Sequence, residues 1–183
     1  MGEAEVNYLE LFPGWLRSLG DDAEALGELV ADAELPEPAR ESLAGALNYL
    51  FKSLDLIPDG IDDIGYLDDA FVMRVAADHA MATNPSALGP ERLRLLNRLA
   101  DDSDAIKSFL AENFTRLDGY VKGLKKASAR GRSVRDILHN PPTQTSFLAD
   151  LRGFAQSYEP PHFAQEEKNL VKLRYFFDAK LPK

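Results

Sequence analysis

Apolar residues recur at helical spacing along most of the chain, and the clearest stripe opens at Leu43. Leu43, Leu47, Leu50 and Leu54 stand at i, i+4, i+7 and i+11, one face of a helix. The segment from Asp55 to Gly60, DLIPDG, then places a Pro and a Gly where a helix has to stop. A second stripe of Leu67, Phe71, Val75 and Ala82 begins near Tyr66. The pattern predicts two apolar helices joined by an aspartate-loaded corner, a hairpin over residues 43–82.

On either side the same reading continues. Residues 3–12 predict a short helix with Val6, Leu9 and Phe12 inward, cut at Pro13-Gly14, and Pro13 suits the first turn of a second short helix through Leu19. Trp15, the only Trp, is expected to anchor this segment on the core. Asp21 or Asp22 is placed to cap a third helix to about Ala33. Pro38 suits the first turn of the helix that carries Leu43. Thr83-Asn84-Pro85 ends the second helix of the hairpin, since the residue before Pro is pushed out of helical geometry, and Gly89-Pro90 opens the next. One long helix is expected from Asp104 to Ala127, with Ile106, Phe109, Leu110, Leu117, Val121 and Leu124 inward. Gly119 and Gly123 weaken it by ~1 kcal/mol each and suit a close helix contact. Ser128 to Arg132 reads as a basic linker. Ser133 with Asp136 gives a capping-box start, Thr143 to Ser157 carries Phe147, Leu148, Leu151 and Phe154, and a last helix runs from about Ala164 to Lys180. No convincing alternating strand occurs. The fold predicted is all-α, a single compact domain of about eight helices built around the hairpin. Residues 1–127 form its main part, and 128–183 form a C-terminal helical extension packed on the same core.

Specific residues of the hairpin resemble a family. Tyr49, Ser53, Asp55-Leu56-Ile57-Pro58-Asp59, Gly65-Tyr66 and Asp68-Asp69 stand where the YkvA-like bacterial domains of unknown function carry the same residues, and the resemblance covers about 35 of the 183 residues. Leu54 replaces the family's usual Pro, and Asp62-Asp63 replace a Pro–apolar pair, which makes this corner more acidic. The resemblance implies a small helical domain without assigned chemistry, often membrane-associated, and supplies no catalytic residues.

Composition narrows the class. A chain of 183 residues with 45% hydrophobic and 28% charged content buries a proper core as one domain. The absence of Cys removes thiolate metal sites, thiol chemistry and disulfides, and with no basic, apolar leader at the N-terminus a cytoplasmic setting is expected. No segment approaches the ~18 apolar residues of a membrane span. Residues 1–90 carry 18 acidic and 4 basic side chains, a balance of −14, and residues 91–183 carry 12 and 17, a balance of +5. The simplest account is that the two halves pack with complementary surfaces.

Three features can carry chemistry. Asp55, Asp59, Asp62, Asp63, Asp68 and Asp69 put six carboxylates into fifteen residues, with Lys52 and Arg74 the nearest cations in sequence. The leading reading is helix caps and ion pairs, which predicts a metal-indifferent protein without cofactor. The alternative is a hard divalent cation on Asp55, Asp59, Asp68 and Asp69, serving an enzyme or a sensor. The second feature is the basic run Lys122, Lys125, Lys126, Arg130, Arg132 and Arg135. Its leading reading is a solvated helix end with cations where the C-terminal dipole favours them; peripheral contact with anionic membrane is the alternative, and the acidic whole speaks against nucleic acid. The third is Tyr175 and Phe176 beside Phe177, which cannot all face one way; core packing is the leading reading of the aromatic that turns aside, and docking of another protein is the next. His79, His139 and His162 lack metal-ligand spacing, and Asp78, on the apolar stripe, is expected to be partly buried and paired. No nucleophile elbow or phosphate loop is present. The sequence therefore favours a non-enzymatic helical interaction or scaffold module.

Overall fold

A computed structural model describes residues 5–52, 55–61 and 63–183. Ser53, Leu54 and Asp62, which the motif, the leucine stripe and the acidic cluster include, lie outside the described residues, as do residues 1–4. Among the described residues the fold is all-α. The helices are α1 (Tyr8–Val30), α2 (Glu37–Tyr49), α3 (Leu67–Met81), α4 (Pro90–Asp101), α5 (Ser103–Leu110), α6 (Phe114–Gly123), α7 (Val134–His139), α8 (Pro141–Ser157) and α9 (Glu167–Lys180). Short 3-10 turns cover Ala111–Asn113 and Leu124–Lys126. No helix among the described residues is long and apolar enough to cross a membrane.

α3 is the axis of the molecule. It packs against α2 and α4 most extensively, and also against α1, α5 and α6. From Leu67 to Ala77 every side chain is buried, polar ones included. An aromatic cluster sits on it: the Phe71 ring stacks on Phe177 of α9 at 5.0 Å and meets Trp15, Phe12 and Phe109 at 5.2–6.0 Å. Such pairs add to the area they bury through edge-to-face geometry. Trp15 anchors α1 on this core as expected, 4% exposed.

Several expectations change. Three short N-terminal helices are one, α1, with Pro13 inside it. A Pro here removes one helical hydrogen bond, but Phe12, Trp15, Leu16 and Leu19 all lie on the buried face, and their burial outweighs that loss. Asp22 is no cap. It is buried and accepts from Ser18 Oγ at 2.8 Å and Arg98 Nη2 at 2.7 Å. The long helix expected over 104–127 is broken at Ala111, which takes a positive φ of 50° before α6 restarts. Gly119 and Gly123 face open space, and the close approach is made instead at Gly45, where an added Cβ would lie 3.0 Å from the backbone of Leu124. Asp78 is exposed. The basic linker forms a two-residue ladder, β1 (Ser128–Ala129) with β2 (Arg132–Ser133), closed by Arg130 and Gly131 at positive φ. Ser133 caps α7 as its spacing predicts, accepting from the Asp136 N–H at 3.1 Å.

Part of the charge asymmetry is taken up inside the molecule. Asp22 pairs with Arg98, Asp32 with Arg92, Arg74 with Asp102, and Glu37 with His139. Each pair joins the acidic first half to the second.

Candidate metal centre

α2 ends at Tyr49, and the chain returns to α3 through a connection that is wound tightly on itself. The Ile61 N–H donates to Pro58 O and the Gly65 N–H to Ile61 O, both at 3.0 Å. A Cβ at Gly65 would strike Asp59 O and lie 3.0 Å from Ile61 O, so this position requires glycine. Asp63 and Tyr66 on either side adopt left-handed φ of 72° and 68°. That conformation costs a non-glycine residue on the order of 1–3 kcal/mol and collects at functional sites.

This winding brings Asp55 of the connection against Asp68 and Asp69 of the first turn of α3. One carboxylate oxygen from each lies within 4.8 Å of the other two. Asp68 is 0% and Asp69 2% exposed, and Asp55 is half-buried. Asp68 uses one oxygen to hold the connection. Its Oδ2 accepts from Tyr49 Oη at 2.5 Å and from the Ile57 N–H at 3.2 Å, while Tyr49 Oη accepts from the Leu56 N–H at 2.7 Å. The other oxygen, Asp68 Oδ1, accepts nothing among the described residues; the same holds for Asp55 Oδ1 and Asp69 Oδ2, and all three are buried.

No ion pair among the described residues answers these groups, although Lys52 acts on Asp55 through space. Among the described residues no Lys, Arg or His lies within ion-pair distance of Asp55, Asp59, Asp68 or Asp69. Arg74 turns the other way, to Asp102 at 2.9 Å and Asp22 at 3.7 Å. Lys52 donates to Tyr120 Oη at 2.9 Å. Of the expected caps, Asp68 serves the Ile57 N–H, but none is made at the start of α3. Tyr66 occupies the N-cap position of α3, which receives no side-chain cap, and Asp63 accepts instead from the Ala164 N–H at 3.2 Å. Asp59 is exposed and stands outside the trio.

Protonation shows the strain of this arrangement. Burial, with Asp59 and Asp68 nearby, pushes the Asp55 carboxyl up to about 7. Burial raises Asp68 to about 6 against the pull of the Tyr49 and Ile57 donors. Asp69 is driven well above the carboxylate range by burial and then by its three acidic neighbours. A carboxyl whose pKa is higher folded than unfolded retains protons on folding, so its contribution is intact below about 4 and is lost as pH climbs through the folded value. The metal-free protein is therefore expected to melt at a higher temperature at pH 5 than at pH 8. A melting temperature level or rising across that interval would contradict the burial of these groups.

The other sequence-marked residues lie apart. Arg132 is buried, pairs with Asp150 at 2.8 Å and faces the rings of Phe51 and Phe147, and Arg130 covers Phe51 and reaches the same Asp150. Both serve the packing of the C-terminal part. Lys122 pairs with Asp118 at 2.9 Å, whereas Lys125 and Lys126 are exposed with no ion-pair partner among the described residues. Tyr175 on α9 is 67% exposed, and Phe176 is half-buried against it. The residue whose role sequence reasoning missed is Tyr49. Its signal was a phenol on the apolar face of α2, since a buried Tyr hydroxyl requires a partner.

A family model described as a protein of unknown function (DUF1232) matches residues 39–74, the span that contains Tyr49, the connection and the carboxylate trio. No curated protein and no solved structure matches the chain.

Proposed function

We propose that this is a divalent-cation-binding helical module of the YkvA-like class, in which Asp55, Asp68 and Asp69 hold a hard ion. The observation that carries the reading is the convergence of three carboxylates, each of which also has a buried oxygen that no donor among the described residues satisfies. Unpaired buried charge is among the costliest arrangements in a protein. Oxygens bound to one Ca²⁺ ion at 2.3–2.6 Å are at most about 5 Å apart, and the trio already meets that limit. The donor set is all oxygen, which favours Ca²⁺, Mg²⁺ or Mn²⁺ over softer ions. Waters and peptide carbonyls of the connection would complete the shell.

Such an ion would tie the end of α2, through Tyr49 and Asp68, to the start of α3. Asp68 and Asp69 are too deeply buried to share the ion with a substrate, so the role is architectural or sensory and not catalytic. Tyr66 lies against Phe154 and Tyr158 at 6.1 and 5.3 Å, so the connection also touches the C-terminal part of the chain. A protein partner, if the module scaffolds one, has Val171 and Tyr175 available, one turn apart on α9 and 61% and 67% exposed.

Titration calorimetry on EDTA-stripped protein tests the reading. Mn²⁺ or Ca²⁺ is expected to bind with 1:1 stoichiometry, and Asp68→Asn or Asp69→Asn to weaken it at least tenfold. A folded wild type that takes up no cation at millimolar concentration would sink it.

A further inference from the structure

Lys125 and Lys126 are exposed with no ion-pair partner among the described residues, and they border the largest described hollow. This groove, about 640 Å³, lies between the first turns of α2, the end of α3 and the junction of α6 with its 3-10 turn. Its size falls within the range of small-molecule sites. Pro38, Ala82 and Val121 contribute its apolar surface, and Lys122, Lys125 and Lys126 border it.

One wall is held in place across two helices. Asp118 of α6 bonds His79 Nε2 of α3 at 2.6 Å and Lys122 Nζ at 2.9 Å. The two hydroxyls in the lining are directed at the backbone: Ser42 Oγ donates to Ala76 O at 3.2 Å and Thr83 Oγ1 to Ala80 O at 2.7 Å. Their protons are already committed, so the interior offers little to a polar ligand body. Glu41 is the one carboxylate in the lining, against three lysines. Gly123 contributes no side chain, and a Cβ there would meet nothing within 4 Å.

We infer that this groove binds a single-chain anionic amphiphile of the fatty-acid type. Its alkyl chain lies along the Pro38, Ala82 and Val121 surface and its head group between Lys125 and Lys126. Charge selects the head: a chain with net charge −9 presents three lysines here. The committed hydroxyls select the apolar body. The groove is distinct from the carboxylate trio, because His79 and Asp69 are ten residues apart on α3, about 15 Å of helix.

Decanoate, which stays monomeric at millimolar concentration, is the probe, followed by amide chemical shifts in the presence of EDTA. Saturable 1:1 binding is expected, with shifts centred on Val121 and Gly123. Gly123→Leu, which adds a side chain to the lining where a Cβ meets nothing within 4 Å, should weaken binding at least tenfold at a melting temperature no lower than that of the wild type, and the Lys125→Glu, Lys126→Glu double variant should weaken it as much. Four results would overturn the inference. Acetate or inorganic phosphate could bind as well as decanoate, which marks a plain cationic patch. Octyl glucoside could bind equally, which marks a non-selective apolar hollow. Phosphatidylcholine–phosphatidylglycerol vesicles could bind while monomeric decanoate does not, which marks a membrane surface. Binding could also survive Gly123→Leu, which places the ligand elsewhere.

Discussion

Replacing Arg74 by alanine should destabilise the protein by ~3–5 kcal/mol, the loss typical of breaking a buried ion pair from one side. Arg74 is fully buried on α3. Its Nε donates to Asp102 at 2.9 Å, Nη1 donates to Ala70 O at 3.2 Å, Nη2 stands 3.7 Å from Asp22, and its guanidinium lies over the Trp15 ring at 4.3 Å. Burial pulls its pKa below the ordinary value and the two carboxylates offset this only in part, but a guanidinium has far to fall and stays charged. Truncation removes that charge and leaves a void beside Trp15. Asp22 keeps Arg98 and Ser18, whereas Asp102 loses its ion-pair partner. For a chain of this size each kcal/mol moves the melting temperature by about 2–4 °C, so a fall of roughly 6–20 °C is expected in a thermal melt. A fall of a degree or two would show that the pair is dispensable. Arg74 was the nearest cation in sequence to one end of the acidic cluster, yet it points away from it. Its loss should lower the melting temperature while leaving any response to divalent ions intact.

That orientation shows where the sequence is informative and where it is not. Elements with one apolar face and a clear stop could be read directly. The start of α2 with Pro38 in its first turn, α4 after Gly89, α7 with its Ser133 cap and α9 with Leu170, Leu173 and Phe177 inward all follow from period and punctuation, whereas α2 ends at Tyr49, short of the Leu50 that its leucine stripe includes. α1 could not, because Pro13 argues locally for a break that the burial of Phe12, Trp15 and Leu16 overrides. α3 is the harder case. Enclosed by five other helices, it has no solvent face over most of its length, so Asp68, Asp69 and Arg74 are buried among apolar neighbours. Adjacent residues on a helix point about 100° apart, and nothing in the order Asp68-Asp69 states that both side chains meet Asp55. The trio is a product of the tight return at Gly65 and of the Tyr49 hydroxyl that draws Leu56 and Asp68 together, both of which are tertiary facts. The density of aspartates was visible, but which of them converge was not, and the exposed Asp59 was grouped with the others for that reason.

The cation response decides between the two readings that the aspartates allow. From sequence alone, caps and ion pairs predict a melting temperature indifferent to divalent ions. Three converging carboxylates, each with a buried unsatisfied oxygen and none with an ion-pair partner among the described residues, predict the opposite. An ion that binds only the folded state stabilises it by about 2.7 kcal/mol at a hundredfold excess over its dissociation constant, or about 5–10 °C for a chain of this length. The EDTA-treated protein should therefore melt that much lower than protein in millimolar Ca²⁺ or Mn²⁺. Asp69→Asn separates the ion from the general electrostatics. It removes a carboxylate that burial and its neighbours already disfavour, so the metal-free variant should melt no lower than metal-free wild type, while the increment from the cation disappears. Asp59→Asn, exposed and outside the trio, should keep the increment, as should Arg74→Ala from its lower baseline. An increment equal in wild type and Asp69→Asn would assign the stabilisation to ions screening the acidic surface, and the trio would then be a site that holds protons instead of metal.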